Sequence, residues 1–108
     1  IMVRYITDTN DFKETLENQP QDKLLVICYT ASWCGPCQRV MKPVFEKLEP
    51  VAPHVTLVKV DVDDCEEVAA ENEIQCMPTI HFYKGGERIE EMEGADEIKF
   101  LNLVKELC

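Results

Sequence analysis

The chain has no long hydrophobic run, few cations, few histidines and no glycine-rich phosphate loop, and each shortage removes a class of function. No apolar stretch approaches the roughly 18–20 residues of a membrane-spanning helix. Ile1-Met2-Val3-Arg4 leads straight into a patterned segment, so no secretory leader is expected; Met2 is a candidate natural start, with Ile1 an addition. Lys and Arg total 11 against 21 Asp and Glu, a net charge of −10. Phosphate recognition needs a basic surface, so neither nucleic acid nor an anionic membrane is an expected partner. The acid excess reads as a solvated surface, with neutral or basic protein faces as the partners it favours. His54 and His81 are the only histidines. One falls in a loop and the other in a strand pattern, so neither makes a short ligand pair with a cysteine, and no metal site is expected. Without a phosphate loop, no bound nucleotide cofactor is expected either.

No repeat, low-complexity tract or linker divides the chain. Its 108 residues read as one domain, 1–108, long enough to bury a core without metals or structural disulfides. The six cysteines are Cys28, Cys34, Cys37, Cys65, Cys76 and Cys108. Six could staple a secreted scaffold. Here, however, Cys28 lies inside an apolar run, Cys65 opens a helical segment and Cys108 is the last residue. A reducing, intracellular setting with one redox pair and four other thiols fits better.

Val3 to Ile6 reads as a short strand, followed by a helix from Asp8 to Glu17 with Phe12 and Leu16 on one face. Leu24 to Tyr29 is a continuous apolar run, the pattern of a central strand buried on both faces. Gln38 to Glu49 reads as a helix kinked at Pro43 and stopped before Pro50. Val55 to Val60 is a further buried strand, and Asp63 or Asp64 is the expected cap of a short helix from Cys65 to Glu71. Thr79 to Tyr83 and Arg88 to Met92 flank Gly85-Gly86 as a hairpin. Asp96 is the expected cap of a last helix carrying Ile98, Leu101, Val104 and Leu107. The order βαβαβα then ββα predicts an α/β fold with one mixed, mostly parallel sheet and helices on both faces.

Trp33-Cys34-Gly35-Pro36-Cys37 sits where the central strand gives way to a helix. Cysteine chemistry needs a thiolate, and a helix start supplies free N–H groups and a favourable dipole for one. Such settings lower a thiol pKa from about 8.5 to as little as roughly 3.5. Cys34 is therefore the candidate nucleophile. Cys37, one turn on, is the candidate resolving thiol. Trp33 can offer a flat apolar surface at the rim. A Cys-x-x-Cys at such a junction points to redox chemistry.

Over essentially its whole length the chain resembles the thioredoxin family, and most of all its animal-type cytosolic form. The matching residues are Trp33 to Cys37, Lys59-Val60-Asp61-Val62-Asp63-Asp64-Cys65, Cys76-Met77-Pro78-Thr79 and Gly94-Ala95. The resemblance implies the thioredoxin fold and a low-potential protein-disulfide reductase of about −270 mV that takes part in cell redox homeostasis. It implies attack by Cys34 and resolution by Cys37, with Gly35 and Pro36 between them. Pro78 resembles the family's cis-proline, and Trp33, Met77, Pro78, Gly94 and Ala95 would line a substrate groove. Electrons would come from NADPH through a flavin-dependent thioredoxin reductase, and targets would be disulfide-containing proteins such as peroxiredoxins or ribonucleotide reductase. A cytoplasmic monomer is implied.

One departure stands out. Where the family carries a buried aspartate, six residues before the first active-site cysteine, this chain has Cys28. Lys59 resembles the lysine that pairs with that acid and would lose its partner, leaving water or Lys59 to handle the Cys37 proton. The alternative reading of Cys28 is a small core residue. Cys76, beside the groove, is a candidate regulatory thiol that could link two molecules when oxidised; the alternative is an exposed, unoxidised thiol. Two competing functions stay open at this point: a binding clamp switched by redox state, and an oxidant or isomerase.

Overall fold

The computed structural model describes residues 3–108, so Ile1 and Met2, with the candidate start, lie outside it. Among the described residues five strands form one sheet in the order β1-β3-β2-β4-β5: β1 Arg4–Tyr5, β2 Leu24–Thr30, β3 Val55–Asp61, β4 Thr79–Lys84 and β5 Glu87–Glu93. β3 runs parallel to both β1 and β2, while β4 pairs antiparallel with β2 and β5 with β4. This is the expected mixed sheet, with the hairpin docked on the central strand through β4.

All seven residues of β2 are buried, because strand geometry sends alternate side chains to opposite faces and both faces are covered. Leu24, Val26 and Cys28 pack with Met41, Val44, Phe45, Phe100 and Val104. Leu25, Ile27 and Tyr29 pack on the other side with Phe12, Val60, Cys65 and Val68. The helices on the first face are α2, Lys42–Leu48, and α4, Glu97–Leu107; those on the second are α1, Thr9–Asn18, and α3, Glu66–Glu71. Asp8 caps α1 by accepting from the Asp11 N–H, and Asp96 caps α4 by accepting from the Lys99 N–H.

Three local expectations change. The helix with Pro43 does not simply bend. Cys37–Met41 forms a π-helical turn in which the Lys42 N–H donates to the Cys37 carbonyl, and α2 follows with Pro43 in its first turn. Pro43 has no N–H for the Arg39 carbonyl and its ring crowds that group, so widening the turn before it relieves both problems. The start of α3 is not capped by Asp63 or Asp64. Cys65 holds the cap position without a side-chain bond. Asp61 instead accepts from the Asp63 and Asp64 N–H groups. On α4 the buried residues are Phe100 and Val104, with Leu103 and Leu107 against the core, whereas Ile98 is 74% exposed and Leu101 38%.

Candidate functional site

β2 ends at Thr30, and the chain turns through Ala31 to Trp33 before the helix begins. The Cys34 N–H donates back to the Ala31 carbonyl, and the Gln38 N–H donates to the Cys34 carbonyl. Cys34 therefore occupies the cap position of the helical segment. Its Sγ does what a capping oxygen does elsewhere, accepting the Cys37 backbone N–H at 3.3 Å. Cys34 and Cys37 are joined as a disulfide with their Cα atoms 5.3 Å apart. Cys34 is 6% exposed and Cys37 only 2%, so the first sulfur is the more accessible of a recessed pair.

The surrounding groups differ in how they are held. Trp33 is 66% exposed, and its Nε1–H donates to Asp63 Oδ2 at 2.9 Å. Gly35 is half-buried and faces the Arg39 guanidinium, which occupies the space a Cβ would take. Pro36 is exposed. Met77 packs against the cluster of Ala31, Cys34 and Cys37. The Met77–Pro78 peptide is cis, and the Pro78 carbonyl accepts from the Gly94 N–H at 2.9 Å. Gly94 has φ +90°, a conformation that side chains with a Cβ avoid. Ala95 follows, half-buried against the core beneath α4. Met77 thus stands against the Cys34–Cys37 pair, and the bond between Gly94 and Pro78 ties a third stretch of chain to the residue that follows Met77.

Cys28 and Lys59 lie deeper in the sheet. Cys28 is buried, and burial pushes its thiol up to about 12 despite the neighbouring Lys59 charge. Lys59 is pulled below the usual ammonium range by burial. Its Nζ stands 5.7 Å from the Tyr5 ring centre and 5.9 Å from that of Phe45. Two aromatic faces are its cation partners, and among the described residues no carboxylate forms an ion pair with it. Cys76 is exposed, and its Sγ–H donates to Glu93 Oε2 at 3.3 Å. Nothing local in the sequence announces the contacts of Asp63, Glu93 and Arg39. Those of Asp63 and Glu93 are made across the fold, and the acidic run Asp61-Val62-Asp63-Asp64 is the one sequence signal near them.

The sequence pattern predicts an ordinary strand residue at His81 and a surface loop residue at His54. His81 is buried in β4, with its ring 5.1 Å from that of Tyr29 and Arg88 Nη1 3.1 Å from Nδ1. His54 lies exposed between α2 and β3. Among the described residues no three His, Cys, Asp or Glu side chains gather as a metal site, and no helix is long and apolar enough to cross a membrane.

The Thioredoxin family model matches residues 3–106. The chain is 42% identical to horse thioredoxin (Equus caballus) over 106 residues, which is 98% of this chain and 99% of that one. Human thioredoxin gives the same identity and coverage. Among solved structures, Fasciola hepatica thioredoxin superposes with a TM-score of 0.91 at 32% identity, covering 97% of this chain and 99% of that one. A structure concerned with the thiol-resolving mechanism of yeast mitochondrial 1-Cys peroxiredoxin via glutathione and thioredoxin systems gives 0.86 at 33% identity, covering 96% and 94%.

Proposed function

The chain belongs to the thioredoxin family and is a thiol–disulfide oxidoreductase acting on disulfide-containing proteins, and from that premise we propose how its own atoms divide the work. Cys34 is the nucleophile. As a thiolate it attacks one sulfur of the target disulfide, breaking that bond, forming a mixed disulfide and releasing one target thiolate that takes up a proton. Cys37, as its thiolate, then attacks Cys34 Sγ and releases the second target thiol. Two electrons and two protons leave the dithiol, which closes to the Cys34–Cys37 disulfide.

The observation that carries this division is the Cys37 N–H donated to Cys34 Sγ. That donor favours negative charge on the first sulfur and sets the second residue within reach of it. Trp33, Met77, Pro78, Gly94 and Ala95 form the groove for an extended target segment, which can pair with the backbone at Met77. Gly35 and Pro36 shape the turn between the thiols. With Cys28 neutral, water, or Lys59 in the uncharged amine form that its burial favours, takes the proton of Cys37.

The supply of electrons is NADPH through a flavin-dependent thioredoxin reductase, with no cofactor on this chain. Targets include peroxiredoxins or ribonucleotide reductase, and the peroxiredoxin context of one similar structure supports the former. The protein works as a single-domain cytoplasmic monomer, with a Cys76-linked dimer on oxidation and with neither nucleic acid nor membrane as partner. The test is insulin reduction driven by NADPH and thioredoxin reductase. Wild type should turn over, Cys34→Ser should not, and Cys37→Ser should stall as a mixed disulfide. A wild type that binds targets without turnover would instead be a clamp.

A further inference from the structure

The strand order places the dithiol between two acidic positions. β2 delivers Cys34 at one end of the sheet. At that same end, β3 finishes at Asp61 and leads to Asp63 on one side. On the other side, antiparallel β4 begins after Met77-Pro78 and β5 finishes at Glu93. Each carboxylate is tethered to a group of the groove or its edge. Trp33 Nε1–H holds Asp63 at 2.9 Å, and the Sγ–H of Cys76, the residue before Met77, holds Glu93 at 3.3 Å.

Neither carboxylate is neutralised. Among the described residues, the ion pairs are Arg4 with Asp11 and His81 with Glu91, and neither involves Asp63 or Glu93. Asp61, Asp64 and Asp96 add negative charge beside the same two walls, while the Arg39 guanidinium lies on the helix side, against Gly35. Three strand spacings of about 4.8 Å separate β3 from β5, roughly 14 Å, a gap that about four residues of extended chain would span. A target segment lying across Cys34 therefore meets an unpaired carboxylate on each side of its reacting sulfur.

We propose that the groove selects disulfides flanked by Lys or Arg, read by Asp63 on one wall and Glu93 on the other. The inference rests on the assignment of Cys34 as the point of attack and names the substrate class for that site. The apolar floor of Trp33, Met77 and Pro78 holds any extended chain. The tethered carboxylates set which chains arrive fastest and are not repelled.

The test uses three disulfide-bridged peptides that differ only in carrying Lys, Gln or Glu on both sides of the reactive half-cystine. Pre-reduced protein is mixed with each in stopped flow, at low salt and at high salt. The second-order rate constants should rank Lys, Gln, Glu, with about tenfold or more between the extremes at low salt and a much smaller spread once salt screens the charges. Glu93→Gln and Asp63→Asn should each shrink the Lys-to-Glu ratio about threefold, on the scale of a partly exposed charge contact. Asn keeps an oxygen to accept from Trp33, so a merely structural role for Asp63 would leave the ratio unmoved. Equal rates for the three peptides at low salt, or a ratio insensitive to both substitutions, would overturn the proposal. Failure to reduce even the Gln peptide would overturn the Cys34 and Cys37 assignment and the proposal with it.

Discussion

Cys28 and Lys59 stand opposite each other across the β2–β3 ladder, a neutral thiol facing a buried ammonium. Among the described residues no carboxylate comes within ion-pair distance of Lys59. Burial raises the Cys28 thiol to about 12, so at neutral pH it neither accepts nor donates a proton usefully. Cys28→Asp would place a general base beside Lys59. If proton transfer from Cys37 limits resolution, release of the second target thiol should quicken by up to about 10²-fold and acquire a new pH dependence. Stopped-flow reduction of a model disulfide from pH 6 to 9 measures both. An unchanged rate and profile would reduce Cys28 to a packing residue.

The bond from Trp33 to Asp63 makes a second prediction accessible to fluorescence, since Trp33 is the sole tryptophan. Removing the acceptor in Asp63→Ala frees an exposed indole. Its emission should change in both redox states, while global stability falls by no more than about 1 kcal/mol, as for a solvent-exposed hydrogen bond. The loosened rim should lower kcat/KM on a protein disulfide by roughly two- to fivefold. Emission identical to wild type would mean that Asp63 does not hold the ring.

His81 predicts an acid-sensitive fold. Burial, followed by the charge of Arg88, holds its imidazole down to about 4, against 6.5 for an exposed histidine. Tyr29 and Tyr83 border the ring, and Glu91 reaches Nε2 at 3.6 Å from the exposed strand β5. As pH falls below 6.5 the unfolded chain takes up a proton that the folded chain refuses until about 4. Stability contributed by neutral His81 is therefore complete above 6.5 and lost through that window. Urea titrations at pH 7 and 4.5 should show His81→Gln losing less stability than wild type, by on the order of 1 to 2 kcal/mol. Parallel losses in the two proteins would refute it.

The same residue illustrates what a sequence can and cannot carry. The continuous apolar run of Leu24 to Tyr29, the Gly85-Gly86 turn and the Asp96 cap are local signals, and each element formed where its pattern placed it. The site core was equally legible, because Cys34 and Cys37 lie one turn apart in a single segment. Pairings between segments left no such trace. Nothing in the strand reading of His81 announces Tyr29 on the neighbouring strand or Arg88 across the hairpin. The apolar stripe of the last helix misled for a related reason. Ile98 and Leu101 share helical spacing with Val104, but the sheet covers the side that carries Phe100. The π-helical turn before Pro43 needed the backbone itself, since the sequence could announce a break without its form.

Cys76 carries the last prediction, and the other free thiols serve as its controls. Its sulfur is exposed, one residue before Met77, so a disulfide formed there would seat a second copy over the groove. Cys65 is buried with its Sγ–H donated to the Ile6 carbonyl, and Cys28 is enclosed in the sheet. Cys108 is exposed at the other end of α4, away from the groove. Hydrogen peroxide would take two electrons from a pair of Cys76 thiols, closing one intermolecular S–S bond and leaving water. On a non-reducing gel, oxidised wild type and Cys108→Ser should both show a dimer band that Cys76→Ser lacks. Because the bond covers Cys34, the purified dimer should reduce insulin at least about tenfold more slowly than monomer until a small thiol reductant cleaves it. A dimer band of equal strength in Cys76→Ser would move the link to another thiol. Full activity in a Cys76-linked dimer would show that the groove stays open when two copies are joined there.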